Sequence, residues 1–216
     1  MAETPQVPRI YVLAGTNGAG KSSIAGAMLL RQGAEFFNPD EASGRILAAN
    51  PDLTRAQANS AAWHEGKRLL ERAIGERCDF AFETTLGGTT IAGLLRSALQ
   101  TGIEVRIWYV GLSSPELHIA RVRARVAKGG HAIPDATIRE RYDRSRLNLI
   151  QLMPGLTELR VYDNSAEADP HAGAVPRPSV VLHLERGRIV SSCDLAATPD
   201  WAKPLMAAAM KIQQTP

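Results

Sequence analysis

Short apolar runs alternate with longer amphipathic segments along the chain. The first run, residues 9–14, ends at a glycine-rich turn, which is typical of a buried parallel strand. The same patterns predict strands at residues 36–37, 79–83, 103–110 and 159–162, and helices at residues 24–32, 41–49, 54–76, 89–101, 115–128, 137–153 and 199–213. Strands that alternate with helices predict an α/β fold with a mainly parallel sheet flanked by helices.

Local signals mark several element boundaries. Thr54 with Gln57, and Thr137 with Glu140, have the spacing of capping boxes, which predicts that a helix begins at each pair. Residues 180–191 contain two short β-branched runs around a Glu-Arg-Gly turn, which predicts a hairpin.

Length and composition indicate a single globular domain. The chain has 216 residues, 44% of them hydrophobic, with 25 Lys plus Arg, 22 Asp plus Glu and a formal charge of +3. We expect a flexible tail at residues 1–8 and one domain over residues 9–216, with a C-terminal addition at residues 178–216. A charge of +3 is too small to indicate a nucleic-acid partner.

Membrane and disulfide signals are missing from the sequence. It has no run of 18 apolar residues, no signal-peptide pattern and only two cysteines. We therefore expect a cytoplasmic protein with no membrane partner.

Residues 15–22 match the phosphate-binding motif G-x-x-x-x-G-K-[ST] in full, between a predicted strand and a predicted helix. Backbone N–H groups of such a loop converge on nucleotide phosphates, the lysine bridges the β- and γ-phosphates, and the serine holds Mg²⁺. The sequence therefore predicts an ATP and Mg²⁺ site. The predicted nucleotide-binding residues are Gly15, Thr16, Asn17, Gly18, Ala19, Gly20, Lys21, Ser22 and Ser23.

Two carboxylates follow predicted strands on the side of the sheet where the phosphate loop lies. Asp40 follows the second strand, and Glu83 ends the third. The carboxyl ends of parallel strands meet at one crevice, so both are candidates to handle the acceptor hydroxyl, and Glu83 also for the Mg²⁺ shell with Ser22. The alternatives are a helix N-cap for Asp40 and a solvated turn carboxylate for Glu83.

Basic residues cluster on the two helices that flank a Gly-Gly-His turn. Arg121, Arg125 and Lys128 share one helical face, and glycines 129 and 130 allow hinge motion. We expect a helical lid at residues 121–148 in which Arg125 is catalytic with Lys21 and Asp40. His131, in the turn, is a candidate contact to a phosphate or to the acceptor, or a plain loop histidine.

Together these motifs resemble the compact bacterial branch of the zeta toxin family of P-loop kinases. The resemblance covers residues 9–165 and rests on residues 15–22, N-P-D-E at 38–41, F-E-T-T at 82–85, R-V-x-x-G-G-H-x-I-P at 125–134, R-Y-x-R-S-x-x-N-L at 141–149 and Y-D-N-S at 162–165. It implies an adenylate-kinase-like P-loop NTPase fold with a lid, and ATP-dependent phosphorylation of a sugar hydroxyl in UDP-N-acetylglucosamine.

The resemblance also implies roles for individual residues. Asp40 matches the acceptor-side base, Glu83 and Thr85 match the substrate pocket, and Lys21 and Arg125 match the phosphate clamps. Two positions depart from the family pattern. Lys67 stands where those toxins carry a substrate-binding glutamate, with Glu65 nearby, and their second lid arginine falls near His131. The kinase interpretation is therefore better supported than the sugar-nucleotide one, and an antitoxin partner cannot be identified from these residues.

Other functions remain open at this point. The enzyme alternative is a kinase of another hydroxyl compound, such as a nucleoside, a nucleotide or an antibiotic. The arginine-rich helices would also suit a nucleic-acid-binding P-loop ATPase, although the low charge and the lack of an aromatic stacking strip argue against it. The third alternative is a nucleotide-binding regulator without catalytic activity.

Overall fold

One mixed sheet organises the chain. The computed structural model describes residues 7–22, 24, 36–166 and 177–214. Within them the strands are β1 (Arg9–Ala14), β2 (Phe36–Phe37), β3 (Phe80–Thr84), β4 (Glu104–Gly111), β5 (Glu158–Asp163), β6 (Ser179–Glu185) and β7 (Arg188–Ser192). Their order is β2-β3-β1-β4-β5-β6-β7. Strands β1 to β5 pair in parallel, and β6 and β7 add an antiparallel hairpin. The predicted α/β class and mainly parallel sheet are confirmed.

Helices connect most of the strands. In the described residues they are α1 (Pro39–Ala49), α2 (Arg55–Glu76), α3 (Thr89–Gln100), α4 (Pro115–Val126), α5 (Asp135–Leu152) and α6 (Lys203–Gln214), with 3₁₀ turns at Met153–Gly155, Leu195–Ala197 and Asp200–Ala202. The predicted helix at residues 24–32 lies almost entirely outside the described residues, as does most of the predicted loop at residues 164–178.

One predicted helix start is confirmed and another is wrong. Thr54 and Gln57 form the expected capping box at the start of α2. Helix α5 instead begins at Asp135, and its N-cap position is held by Pro134 without a side-chain hydrogen bond. Thr137 therefore lies inside the helix. The fixed φ of proline and the negative charge of Asp135 near the helix dipole both favour the earlier start.

The sheet is buried on both faces, which explains the uninterrupted apolar run of β1. Ile10 and Val12 join one cluster, and Tyr11 and Leu13 join a second cluster on the opposite face. Helices α3, α5 and α6 contribute to the first cluster. Burial on both faces is the usual environment of parallel strands, and it makes the sheet a rigid base for the loops at its carboxyl edge.

The C-terminal segment covers the carboxyl ends of β4 and β5. Trp201 is 3% exposed, and its indole Nε1 donates to Asp163 Oδ1 at 3.0 Å. A Cβ added at Gly111 would lie 2.3 Å from the indole ring, so the ring packs where only glycine fits. Trp108 is also buried, whereas Trp63 is 43% exposed.

Candidate active site

The phosphate loop packs tightly against two neighbouring elements. It follows β1, which lies between β3 and β4 in the sheet. A Cβ at Gly15 would approach the carbonyl oxygen of Val110 to 2.3 Å, and one at Gly18 would approach that of His118 to 2.6 Å. Both glycines also have positive φ. Glycine is required at each position, because a side chain would have neither room nor a favourable backbone conformation there.

Lys21 lies within the loop and links it to β3. The side chain is nearly buried, and its Nζ donates to the Gly15 carbonyl oxygen at 2.7 Å. The same Nζ lies 3.4 Å from Glu83 Oε1. Glu83 pairs in register with Leu13 of β1, and its side chain is only 18% exposed, so the solvated-turn alternative is wrong. Ser22 is exposed beside Lys21, and Ser23 lies outside the described residues.

Asp40 is not the N-cap of its helix. Asn38 holds that position, and its side chain accepts hydrogen bonds from the backbone N–H groups of Asp40 and Glu41. The Asp40 carboxylate is therefore left for tertiary contacts, and Arg125 Nη1 lies 3.4 Å from its Oδ2. The Nε and Nη2 atoms of Arg125 are buried and have no hydrogen-bond partner among the described residues. An unsatisfied buried donor is costly, which suits a side chain that receives a ligand.

A cleft of about 710 Å³ opens beside the phosphate loop. The predicted acceptor-side residues all line it, together with one phosphate-loop residue: Asp40, Glu83, Thr85, His131 and Asn17. Lys21 and Arg125 border it through their contacts with Glu83 and Asp40. The opposite wall comes from α2 and includes Trp63 and Lys67, and Lys67 is paired with Glu71. The structure thus brings the predicted residues together.

His131 lines the cleft from the turn between α4 and α5. Burial lowers the pKa of its imidazole, and the positive charges of Arg125, Arg55 and Arg141 act in the same direction, while Asp40 opposes them. The imidazole is therefore neutral at pH 7 and offers a hydrogen bond rather than a charge.

Helix α5 secures the loop that forms the floor of the cleft. Ser145 Oγ donates to the Thr85 carbonyl oxygen at 2.8 Å, and Asn148 Nδ2 donates to those of Leu86 and Gly88 at 2.8 and 3.1 Å. Leu86 is buried and has a φ of +54°, which is strained for a residue with a Cβ. The two side chains from α5 hold this strained backbone in place.

Sequence reasoning did not assign two residues that contact the phosphate loop. The buried His118 of α4 donates from Nδ1 to the Asn17 carbonyl oxygen at 2.8 Å, since a carbonyl can only accept. Arg141 of α5 donates from Nη1 to Asn17 Oδ1, also at 2.8 Å. His118 lies on the apolar face of its helix with Ile119 and Val122, and that position was the available signal.

Asn164 also supports the phosphate loop. Its Nδ2 donates to the Ala19 carbonyl oxygen at 2.8 Å, and its backbone N–H donates to that of Gly111 at 3.0 Å. The side chain thus binds the loop backbone, which ties the end of β5 to the phosphate site.

One other group of side chains has metal-ligand spacing within the described residues. Glu158, His183 and Glu185 lie at the opposite end of the sheet from the phosphate loop, and Arg106 and Arg160 already bind Glu158. Two guanidinium groups beside a carboxylate disfavour a cation there.

No helix among the described residues is long and apolar enough to cross a bilayer.

A phosphate loop that follows the first strand of a mainly parallel sheet, with a carboxylate-lined cleft beside it, is the arrangement of P-loop kinases, which are ATP-dependent phosphotransferases. The zeta toxin family model matches residues 2–172, and the chain belongs to the zeta toxin family. An uncharacterized protein of Haemophilus influenzae is 32% identical over 130 residues, which are 59% of this chain and 88% of that protein.

Solved structures share the fold. The AvrRxo1-ORF1:-ORF2 structure with ATP has a TM-score of 0.65 and 16% identity, with 95% of this chain covered and 64% of that chain. This chain therefore spans less than two thirds of it. The structure from the PezAT toxin–antitoxin system of Streptococcus pneumoniae has a TM-score of 0.59 and 15% identity, with 97% and 87% covered.

The buried His118 predicts a pH dependence of stability. Burial, more than the nearby positive charges, lowers its pKa from 6.5 to about 4. Because the folded pKa is below the unfolded one, the unfolded state binds more protons as the pH falls through this range, and stability decreases. Between pH 7 and pH 4.5, the free energy of unfolding measured by urea denaturation should fall by about 2 to 3 kcal/mol more in wild type than in His118→Asn. The asparagine keeps a hydrogen-bond donor but cannot titrate. Equal losses would contradict a buried neutral imidazole.

Proposed function

We propose that this protein transfers the γ-phosphoryl group of ATP to a hydroxyl of a small molecule bound in the cleft. The observation that carries the proposal is the Asp40–Arg125 pair beside a cleft that the phosphate-loop residue Asn17 also lines. Transfer of a phosphoryl group to a hydroxyl uses a carboxylate that accepts the hydroxyl proton and a cation that stabilises the charge on the phosphoryl oxygens. This pair supplies both groups between the nucleotide site and the acceptor site.

The phosphate loop would bind ATP through its backbone N–H groups and Lys21. The ammonium group now contacts the Gly15 carbonyl oxygen and Glu83. Those contacts hold it inside the loop, close to where the β- and γ-phosphates bind in proteins of this class. Residues 15–23 are therefore proposed to hold the nucleotide.

Ser22 and Glu83 would hold Mg²⁺. A hydroxyl and a carboxylate are hard oxygen ligands of the kind that Mg²⁺ accepts along with water and phosphate oxygens. Glu83 fits this assignment, since its carboxylate lines the cleft beside the phosphate loop and Lys21 would turn from it to the phosphates when ATP binds. The ion would neutralise charge on the phosphate oxygens. Ser22 and Glu83 would position it between the nucleotide and the acceptor.

Asp40 would act as the base and Arg125 as the phosphate clamp. The acceptor hydroxyl loses its proton to Asp40 as the new O–P bond forms and the bond to the bridging oxygen of ADP breaks. Arg125 is paired with Asp40 at 3.4 Å and has two buried donors without partners. A phosphoryl group would satisfy those donors, and Asp40 would then be left to accept the proton. Within the lid expected at residues 121–148, the part proposed to move and bring Arg125 to the phosphate is the end of α4 with the turn that follows it, because Arg141, Ser145 and Asn148 tie α5 to the site.

The acceptor is proposed to be a UDP-N-acetylaminosugar, as the family resemblance implies. Thr85 and His131 line the cleft where its hydroxyl would be placed. Lys67 also lines the cleft, in place of the glutamate expected from the family pattern. The α2 wall therefore presents a positive charge to a ligand where the family pattern has a negative one. For this reason a different hydroxyl compound is the alternative acceptor.

An antitoxin partner is proposed from the relatives. The PezAT structure belongs to a toxin–antitoxin system, and AvrRxo1-ORF1 was solved with AvrRxo1-ORF2. A protein that phosphorylates a common metabolite would need such a partner to control it. The cytoplasmic location expected from the sequence stays a prediction.

A screen of metabolites with γ-labelled ATP tests the proposed function. We expect one class of hydroxyl compound to gain the label with wild type, and Lys21→Ala to transfer none above background, because Lys21 contacts phosphate in this account. Calorimetry with Mg²⁺ and ATP should show that the variant has lost most nucleotide affinity. Binding and transfer equal to wild type in Lys21→Ala would contradict the phosphate-loop assignment.

Asp40→Asn separates catalysis from binding. The amide preserves the shape but cannot accept a proton, so we expect normal ATP affinity and a transfer rate that is about a hundredfold or more lower. Single-turnover transfer and calorimetry on the same preparation measure both. An unchanged rate would show that Asp40 serves only to position Arg125.

Arg125→Ala should lower kcat by about 10³-fold with little change in ATP affinity, because charge builds on the phosphoryl oxygens during transfer. Arg125→Lys should recover only part of the lost kcat, since an ammonium group cannot reproduce the two parallel hydrogen bonds of a planar guanidinium. Arg123→Ala is the matched control from the same helix. Arg123 is exposed and pairs with Asp135. If both alanine variants are equally damaged, helix destabilisation explains the loss and the clamp is unsupported.

A further inference from the structure

Arg141 differs from the other arginines of α5 in its lack of a counterion. The others form ion pairs: Arg139 with Glu116, Arg144 with Glu140, and Arg146 with Asp143. Among the described residues no carboxylate lies within ion-pair distance of Arg141, whose side chain hydrogen-bonds only to a neutral amide. A half-buried cation therefore lines the cleft without an ion-pair partner in the described part of the chain.

The surroundings of this guanidinium favour an anion. Burial lowers the pKa of Arg141, while the more distant carboxylates of Glu140 and Asp40 act in the opposite direction. Arginine stays charged in proteins, so partial desolvation without a counterion is a cost to the folded state. An anionic ligand would remove that cost.

The phosphate loop fixes the position of Arg141. Its Nη1 donates to Asn17 Oδ1 at 2.8 Å, and its backbone carbonyl oxygen accepts from Thr16 Oγ1 at 3.4 Å. Its side chain also packs against Gly87, where an added Cβ would lie 2.7 Å from Arg141 Cγ. The Asn17 bond holds the guanidinium, while the Thr16 bond and the Gly87 contact fix the backbone and the base of the side chain. One N–H group is used by Asn17, which leaves the other donors of the fork for a ligand.

This position lies between the nucleotide and the acceptor. Asn17 belongs to the loop that receives the phosphates, while Gly87 and Thr85 belong to the floor of the cleft. Asp40 and His131 line the same cleft as Arg141, so the three groups surround one volume. The anion expected in that volume during the reaction is the phosphoryl group itself.

We propose that Arg141 is a second catalytic guanidinium, which contacts the γ-phosphoryl oxygens during transfer while Arg125 approaches from the lid. The inference rests on the proposed function. Arg141 makes and breaks no covalent bond. As the acceptor oxygen attacks and ADP leaves, it stabilises the charge on the phosphoryl oxygens, and Asn17 sets its direction. Arg125 is carried by the movable lid, whereas Arg141 is already in place before ATP arrives.

The test uses a mimic of the phosphoryl group in transit and needs no knowledge of the acceptor. Binding of Mg²⁺ and ADP is compared with and without aluminium fluoride by calorimetry. Wild type should bind ADP with aluminium fluoride at least a hundredfold more tightly than ADP alone, since transition-state mimics bind more tightly than ground-state ligands. Arg141→Ala should keep the ADP affinity and lose most of that preference. Arg141→Lys should regain only part of it, and millimolar guanidinium should restore part of it to Arg141→Ala.

Control variants separate this role from a structural one. Arg139→Ala, exposed and paired with Glu116 on the same helix, should keep the full preference. Asn17→Ala should give an intermediate preference, because the guanidinium remains but loses its orienting acceptor. If Arg141→Ala weakens ADP and ADP with aluminium fluoride equally, or keeps the preference, the inference is overturned. If wild type itself shows no preference, the proposed phosphoryl transfer fails instead.

Discussion

Two irregular loops form this site, and their buried polar groups have no sheet partners to satisfy them. Backbone N–H and C=O groups that leave water must find hydrogen bonds elsewhere. At the cleft floor helix α5 supplies them through Ser145 and Asn148, and its Arg141 binds the Asn17 side chain of the phosphate loop. These three residues follow each other at intervals of four and three and so share one face of the helix. That face binds the phosphate loop at one end and the cleft floor from Thr85 to Gly88 at the other. The nucleotide site and the acceptor site are therefore held at a fixed separation by one helix.

Two charge pairs then hold the site ready for its ligands. Lys21 lies against Glu83, and Arg125 lies against Asp40. Each pair joins a cation suited to phosphate with a carboxylate suited to a metal ion or a proton. Binding of ATP with Mg²⁺ would exchange these contacts for stronger ones, because phosphate and metal carry more charge than the partners they replace. Apart from the lid movement that brings Arg125 to the phosphate, the protein thus has little to reorganise when the substrates arrive, and such preorganisation is the main way in which phosphoryl transfer is catalysed.

The sequence predicted the parts of the site that are set by local chemistry. The phosphate loop is contiguous, and strand ends placed Asp40 and Glu83 at one edge, so the structure finds both at the same cleft. His118 and Arg141 were not assigned, because their contacts to Asn17 depend on how α4 and α5 pack on the loop, which no local pattern encodes. The capping box predicted at Thr137 and Glu140 was wrong for a similar reason. The motif has the right spacing, but the helix begins earlier, directly after Pro134.

The central claim is that the phosphoryl group passes directly from ATP on the phosphate loop to a hydroxyl in the cleft. Transfer in one step places the attacking and leaving oxygens in line, and this inverts the configuration at phosphorus. The decisive measurement uses ATP made chiral at the γ-phosphorus with oxygen isotopes and sulfur, and determines the configuration in the phosphorylated acceptor. The account predicts inversion, with Asp40 as a base. Retention would contradict it, because two displacements would then be needed, with a phosphorylated side chain between them.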